Sequence, residues 1–322
     1  VPATAPRQNW HNCILMPWVS VRVPASSANL GPGFDALGLA LGIYLECRFR
    51  PAATLRISAA GRDCDGIPTS EDNLIWRTAL AVAETHRMTI PAIELHIRND
   101  IPLGKGLGSS AAALTAGVVI ADKLLGLHWK PARILDEAAR LEGHPDNVAA
   151  CTLGSIVASA IDSGGVARAV RIELPARFGV AVVVPDFVLP TAQARAVLPQ
   201  QYSREDAIFN VQRAALLIAA LSAGSVGAFP AALEDRMHQP YRLDLVPGLE
   251  DILKLRAPGL LGCALSGAGP SVLVFFERGY EGVCDIVRQI FALHGHSSEA
   301  LHTGIAAHGF EVQEQLEHEN VT

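Results

Sequence analysis

Pro102-Leu-Gly-Lys-Gly-Leu-Gly-Ser-Ser-Ala111 is the stretch on which the reading of this chain turns. Its three glycines at alternate positions let backbone N–H groups turn toward one point with no side chain in the way. Ser109 and Ser110 then open a helix, whose first N–H groups lack intrahelical partners and whose dipole is positive at that end. An anion, and polyphosphate above all, suits such a place. The order of residues is not G-x-x-x-x-G-K-[ST], which disfavours a Walker-type loop, and it lacks the third glycine of a dinucleotide fingerprint. Lys105 is a phosphate contact or a solvated lysine; Leu103, Gly104, Gly106, Leu107 and Gly108 complete the candidate cradle.

Upstream of the loop, Ile93, Leu95 and Ile97 alternate with Glu94, His96 and Arg98, a half-buried strand. Downstream, residues 109–125 read as an alanine-rich helix stopped by Gly126, and residues 131–142 as a second helix with Pro131 at its start and Gly143 at its end. Further out, strands are expected at 19–23, 36–49 and 55–58, with a turn-rich stretch at 24–35 and a helix at 73–85. A Ser-Gly-Gly turn lies within 162–166, and a short apolar strand at 179–184. Beyond it come helices at 206–223 and 231–237, a strand-turn unit at 263–276, a helix at 281–293 and a last strand near Phe310. This mixture predicts an α+β architecture, not a regular doubly wound sheet. Residues 1–17 are set aside as an N-terminal extension, and the division between domains is expected near residue 175, giving 18–175 and 176–322.

Composition narrows the function classes. Half of the 322 residues are hydrophobic, enough for a sizeable core. A net charge of -6, with no run of Lys or Arg, disfavours nucleic acid as a partner. The six cysteines are scattered with no C-x-x-C pair, which reads as free thiols in a reducing cytoplasm and not as a zinc site. No stretch approaches the roughly 20 apolar residues of a membrane span, and the first 17 residues lack the pattern of a secretory signal.

Three words then occur in order: Val21-Arg-Val-Pro-Ala-Ser-Ser-Ala-Asn-Leu-Gly-Pro-Gly-Phe-Asp35, the glycine loop, and Leu265-Ser-Gly-Ala-Gly-Pro-Ser-Val272. Each resembles one of the three motifs of the GHMP kinase superfamily, with similar spacing, over roughly residues 19–303. Within it, Ala28-Asn-Leu-Gly-Pro-Gly-Phe-Asp35, Glu142-Gly-His-Pro-Asp-Asn-Val-Ala149, Pro190-Thr-Ala-Gln-Ala-Arg195 and Pro240-Tyr-Arg-Leu243 most resemble the homoserine kinase family. The resemblance implies the GHMP kinase fold: an N-terminal domain like ribosomal protein S5 domain 2, with a left-handed crossover, followed by a ferredoxin-like C-terminal domain. It also implies ATP in the glycine loop, with Gly267 and Gly269 as further nucleotide contacts and Asn73 near the adenine. The implied reaction is phosphorylation of the terminal hydroxyl of L-homoserine, a step of threonine biosynthesis, in a homodimer.

Residue roles follow the chemistry of that acceptor. Arg195 and Arg242 match the family's carboxylate clamps, a task suited to arginine's planar fork. Asp35 can hold the ammonium and Asn29 the hydroxyl, although both residue types also favour turns, and His144 lines the same pocket. Glu142 is the candidate for Mg2+, because a carboxylate in a helix's last turn is offset by a cation; Glu137 is the fallback, and Ser110 or Ser109 the second ligand. Asp146 and Asn147 stand where relatives place catalytic groups, with the γ-phosphate itself as the alternative proton acceptor. Another small alcohol as acceptor, a silent ligand sensor and an ATP-dependent decarboxylase are the competing readings. The two arginines speak for an amino acid.

Overall fold

The computed structural model describes residues 17–173 and 178–315. The N-terminal extension, but for its last residue, and the domain division near residue 175 therefore lie outside the described residues. In chain order the first unit contains β1 (Trp18–Asn29), β2 (Gly33–Pro51), β3 (Arg56–Gly61), α1 (Leu74–Thr85), β4 (Ile93–Asn99), α2 (Ser109–Leu125), α3 (Pro131–Glu142), α4 (Asp146–Leu153), β5 (Ile156–Ile161) and β6 (Ala167–Ile172). The second contains β7 (Phe178–Pro185), α5 (Thr191–Ala196), α6 (Arg204–Ala223), α7 (Phe229–Ala232), α8 (Leu249–Lys254), β8 (Leu260–Leu265), β9 (Val272–Glu277), α9 (Val283–Leu293) and β10 (Ser298–Leu301). A last strand, β11 (Glu311–Gln315), crosses back.

Punctuation in the sequence explains the helix ends. Asn73 caps α1 by accepting from Ile75 N and Trp76 N. Gly126 and Gly143 close α2 and α3 in the left-handed region, and Pro131 opens α3. The bounds of both helices are those expected. The 24–35 stretch differs: only residues 30–32 turn, and Ala25 to Ala28 continue β1 against Gly38 to Leu41 of β2. These small residues look like turn formers in isolation. In the fold they thin the sheet so that helices approach closely; at Gly38 a side chain would strike the backbone carbonyl of Asp146. Helix α4 and the β5–β6 hairpin were not foreseen, and the expected 231–237 helix is the single turn α7.

The first sheet runs β11-β1-β2-β4-β3, with β5 also pairing β2 and β6 pairing β5; α1 to α4 pack on it over a core that includes Val23, Leu39, Ile97, Val118 and Val148. The second sheet, β10-β7-β9-β8, is antiparallel throughout. Its βαββαβ order is the ferredoxin-like arrangement. Because β11 pairs with β1, residues 311–315 belong to the first sheet and not to the second unit. One helix, α6, is long and apolar enough to cross a membrane by length and mean hydropathy (1.2), contrary to the expectation of none. Its buried Asn210 donates to Asp235 and to Pro32 O, which ties one face of α6 to the first unit's turn.

Candidate active site

The glycine loop stands at the seam between the two units, and hydrogen bonds from both sides hold its carbonyls. Leu107 O accepts from Ser26 N, Gly106 O from Ser266 Oγ, and Lys105 O from Ser271 N. Ser266 Oγ, its one proton given to Gly106 O, accepts from Ser27 Oγ at 2.8 Å, and Gly267 N donates to Ala28 O, so all three sequence words are stitched into one bracket. With the carbonyls turned outward, the N–H groups of Gly106 to Ser110 have no acceptor among the described residues. Gly106 and Gly108 both have positive φ, 76° and 66°. A Cβ at Gly106 would meet Ser266 O and Gly269 O, and one at Gly108 would meet Ser26 Oγ. Only glycine fits either place.

The cleft beside the loop, about 210 Å³, is lined by Asn29, Asp35, Gly104, Gly106 to Ser110, Glu142, His144, Asp146, Asn147, Arg195, Arg242 and Gly267. Most of the residues expected from the sequence are thus brought together. A second, mostly apolar slot of about 220 Å³ shares Ser109 and Ser110 with it and extends past Leu103, Ile67, Pro68 and Asn73. Asn73 caps α1 with its Oδ1 and donates to Pro68 O at 2.7 Å, so it shapes that slot's wall.

Three expectations are corrected. Lys105 is half-buried and turned away from the loop's N–H groups: its ammonium donates to Pro185 O and Phe187 O, both at 2.8 Å, and pins the loop to the end of β7. Burial lowers its pKa. Asn29 is first a brace for the Asp35 turn and not a freely presented amide: Nδ2 gives one of its N–H groups to Gly267 O (2.9 Å) and Oδ1 accepts from Asp35 N (3.0 Å). Gly269 does not line the cleft; its carbonyl backs Gly106 from behind, whereas Gly267 is at the cleft surface.

The charged groups are arranged in pairs. Arg195 bonds both carboxylate oxygens of Asp35, at 2.7 and 3.2 Å. His144 Nδ1 lies 2.8 Å from Asp146 Oδ1, and this contact, ahead of the opposing effect of burial, raises the His144 pKa. Asp146 Oδ1 also accepts from Asn147 N at 2.7 Å, at the first turn of α4. Asn147 Oδ1 accepts from Ser26 Oγ at 2.8 Å, a brace beneath the loop. Arg242 is buried, donating through Nε to Ala194 O and through Nη1 to Gly267 O, and burial pushes its pKa down to about 10.

Glu142, at the end of α3, holds its carboxylate 3.4 Å from Ser110 Oγ at the start of α2. Desolvation raises its pKa, with the His144 charge pulling the other way. A partly buried carboxylate beside a hydroxyl, with no salt bridge among the described residues, is a hard-oxygen pair that suits a divalent cation. Glu137, the fallback, is excluded by its partners: it is buried and accepts from Arg133 and Arg140. Asp35, His144 and Asp146 also bring ligand atoms within 4.8 Å of one another, but Arg195 and their mutual bond already occupy them. Missing from the sequence reading were Ser26, Phe34, Asn210 and His238. The word before Arg242, His-Gln-Pro-Tyr-Arg, carried the only local signal for the last of these.

A glycine loop at a helix start, bracketed by two other motifs at a domain seam, defines a small-molecule kinase of the GHMP type. Residues 73–155 match the GHMP kinases N terminal domain and residues 217–288 the GHMP kinases C terminal domain. The chain belongs to the homoserine kinase family within that class: it is 76% identical over 295 residues to a homoserine kinase of Solibacter usitatus, covering 92% of this chain and 97% of the relative. A homoserine kinase of Deinococcus radiodurans is 46% identical over 80% of this chain and 84% of its own length. Among solved structures, homoserine kinase from Cytophaga hutchinsonii superposes with a TM-score of 0.80 at 27% identity, covering 96% of this chain and all (100%) of that one.

Proposed function

We infer that this chain transfers the γ-phosphoryl group of ATP to the terminal hydroxyl of L-homoserine, giving O-phospho-L-homoserine and ADP, a step of threonine biosynthesis. The observation that carries the reading is the convergence of Asp35, Arg195 and Arg242 on the cleft that the glycine loop lines. A free amino acid needs an anion for its ammonium and cations for its carboxylate, and these side chains supply both. A sugar or another neutral alcohol would leave two arginines without a purpose.

In this reading the apolar slot beside Leu103 takes the base, and the N–H groups of residues 106–110 take the phosphates at the positive end of α2. The acceptor trades places in the Arg195–Asp35 pair, its carboxylate meeting Arg195 and Arg242 and its ammonium Asp35. Phosphoryl transfer is then largely a matter of alignment and charge neutralisation. Asp146 orients His144 and Asn147, and the hydroxyl proton passes to an oxygen of the phosphoryl group. Ser110 and Glu142 would hold Mg2+, which supplies neutralisation of the phosphate charge. An ADP-release assay across homoserine, mevalonate, galactose and shikimate tests the assignment. Homoserine alone should support turnover; folded protein that ignores homoserine would overturn it.

The same reading places the protein in the cytoplasm as a homodimer, with no nucleic acid or membrane partner. The five cysteines among the described residues are free thiols, which fits a reducing compartment. Light scattering on the purified protein checks the dimer.

A further inference from the structure

His238 is fully enclosed (0% exposed), four residues ahead of Arg242, between that arginine and the turn that joins β1 to β2. Its Nε2 lies 2.7 Å from Gly31 O, and its Nδ1 lies 3.0 Å from Arg242 Nη1. A carbonyl oxygen only accepts and a guanidinium only donates. The ring is therefore neutral, with its proton on Nε2 and its Nδ1 lone pair turned to the arginine. Burial lowers its pKa, which favours the same neutral form.

The ring cannot easily move. Asp235 accepts from the backbone N–H groups of Met237, His238 and Gln239 and from Asn210 Nδ2, fixing the turn that carries the ring. On the cleft side, Phe34 stacks on it with centroids 5.3 Å apart and an interplanar angle of 23°. Phe34 directly precedes Asp35 in the chain.

Three bonds then define the guanidinium plane of Arg242: Nε to Ala194 O at 3.0 Å, Nη1 to Gly267 O at 3.1 Å, and Nη1 to His238. Nη2 makes no bond among the described residues, and it is not one of the sealed, unpartnered polar atoms. It therefore keeps access to the cleft that Arg242 lines.

We propose that His238 is a positioning residue that sets the carboxylate specificity of the site. By accepting from Nη1 it holds Nη2 toward the acceptor's carboxylate. By donating to Gly31 O it ties the Asp35-bearing turn to the same arginine, so that the anion and cation partners of a zwitterion stay at a fixed separation. Gly31 lies close against Leu233 O, which a side chain there would strike, so the turn keeps glycine at this place. The inference rests on Arg242 being a carboxylate partner.

Two substitutions separate the two ring nitrogens. His238→Asn keeps an acceptor where Nδ1 stands, facing Arg242, and His238→Gln keeps a donor where Nε2 stands, facing Gly31. We expect His238→Gln to raise KM for homoserine about 10- to 100-fold, the scale of one charge-assisted hydrogen bond. KM for ATP should stay put, and His238→Asn should recover most of the loss. 3-Aminopropan-1-ol, which is homoserine without its carboxylate, should compete equally well against wild type and His238→Gln. An unchanged homoserine KM in His238→Gln, a change carried by ATP, or loss of folding in both would overturn the proposal. Arg242→Ala separates this from the broader reading. A wild-type homoserine KM in Arg242→Ala would sink the assignment of Arg242 itself, whereas a wild-type KM in His238→Gln beside a crippled Arg242→Ala would sink the role of His238 alone.

Discussion

Arg195 from α5 and Asp35 from the start of β2 grip each other through two hydrogen bonds, at 2.7 and 3.2 Å, although 160 residues separate them. Each is the opposite half of what a zwitterionic acceptor needs. Both side chains are about a third exposed (38% and 34%), so water screens the pair and it adds little to stability. Arg195→Ala and Asp35→Ala should therefore each raise KM for homoserine by about 30- to 100-fold while moving Tm by no more than about 4 °C. Kinetics and calorimetry on the two variants check this. A large fall in Tm with unchanged KM would make the pair a structural clasp.

Lys105 gives the reverse pattern. Its ammonium is spent on Pro185 O and Phe187 O, so Lys105→Met should leave ATP affinity within about threefold. Two carbonyls at the domain seam would lose their donor, at a cost of about 1–3 kcal/mol. Urea unfolding and nucleotide titration measure the two effects separately.

Gly108→Ala should damage nucleotide binding. The new Cβ would run into Ser26 Oγ at a backbone φ of 66°, a conformation that costs an L-residue about 1–2 kcal/mol before any clash is counted. The hydroxyl it displaces is the one that braces Asn147. Loss of ATP-dependent thermal protection in the folded variant is the expected result.

Glu142→Ala and Asp146→Asn should separate clearly. Glu142 faces Ser110 across the gap between two helix ends, and its removal should abolish most turnover and the Mg2+ dependence of nucleotide binding. Asp146 acts by orienting His144 and Asn147, so the amide variant should keep measurable activity. Equal collapse in both, with intact folding, would restore Asp146 as an obligatory base.

Acid should weaken the fold through His238. Its folded pKa is depressed by burial, so the unfolded chain binds the extra proton first as pH falls below about 6.5. The stability it contributes is complete above that value and is lost on the way down toward the folded pKa. Asp235, Arg242 and Asp35 face the ring and set how far the window extends. The Tm difference between pH 7.5 and pH 5.5 should be smaller in His238→Asn than in wild type.

Local chemistry was legible in the sequence, and partners far along the chain were not. The glycine stops at 126 and 143 fixed two helices to the residue, because capping depends only on neighbours. Ser26 and Ser27 looked like turn formers because nothing nearby reveals that Asn147 and Ser266 would satisfy their hydroxyls inside a sheet. Lys105 looked like a phosphate ligand for the same reason, its acceptors lying 80 and 82 positions away. Asp35, Arg195 and Arg242 were found by the words around them, yet no word shows that two of them pair or that His238 steers the third.

The return of β11 to pair with β1 changes what the second unit is. Topologically it is an insert: the chain leaves the first sheet after β6, completes four strands elsewhere, and comes home to the first sheet's edge. Two chain crossings, not one, join the halves of the cleft. A protease nick between Ile172 and Phe178 would therefore leave both fragments anchored in one folded particle, with the glycine loop and Arg242 still on opposite walls of the same crevice.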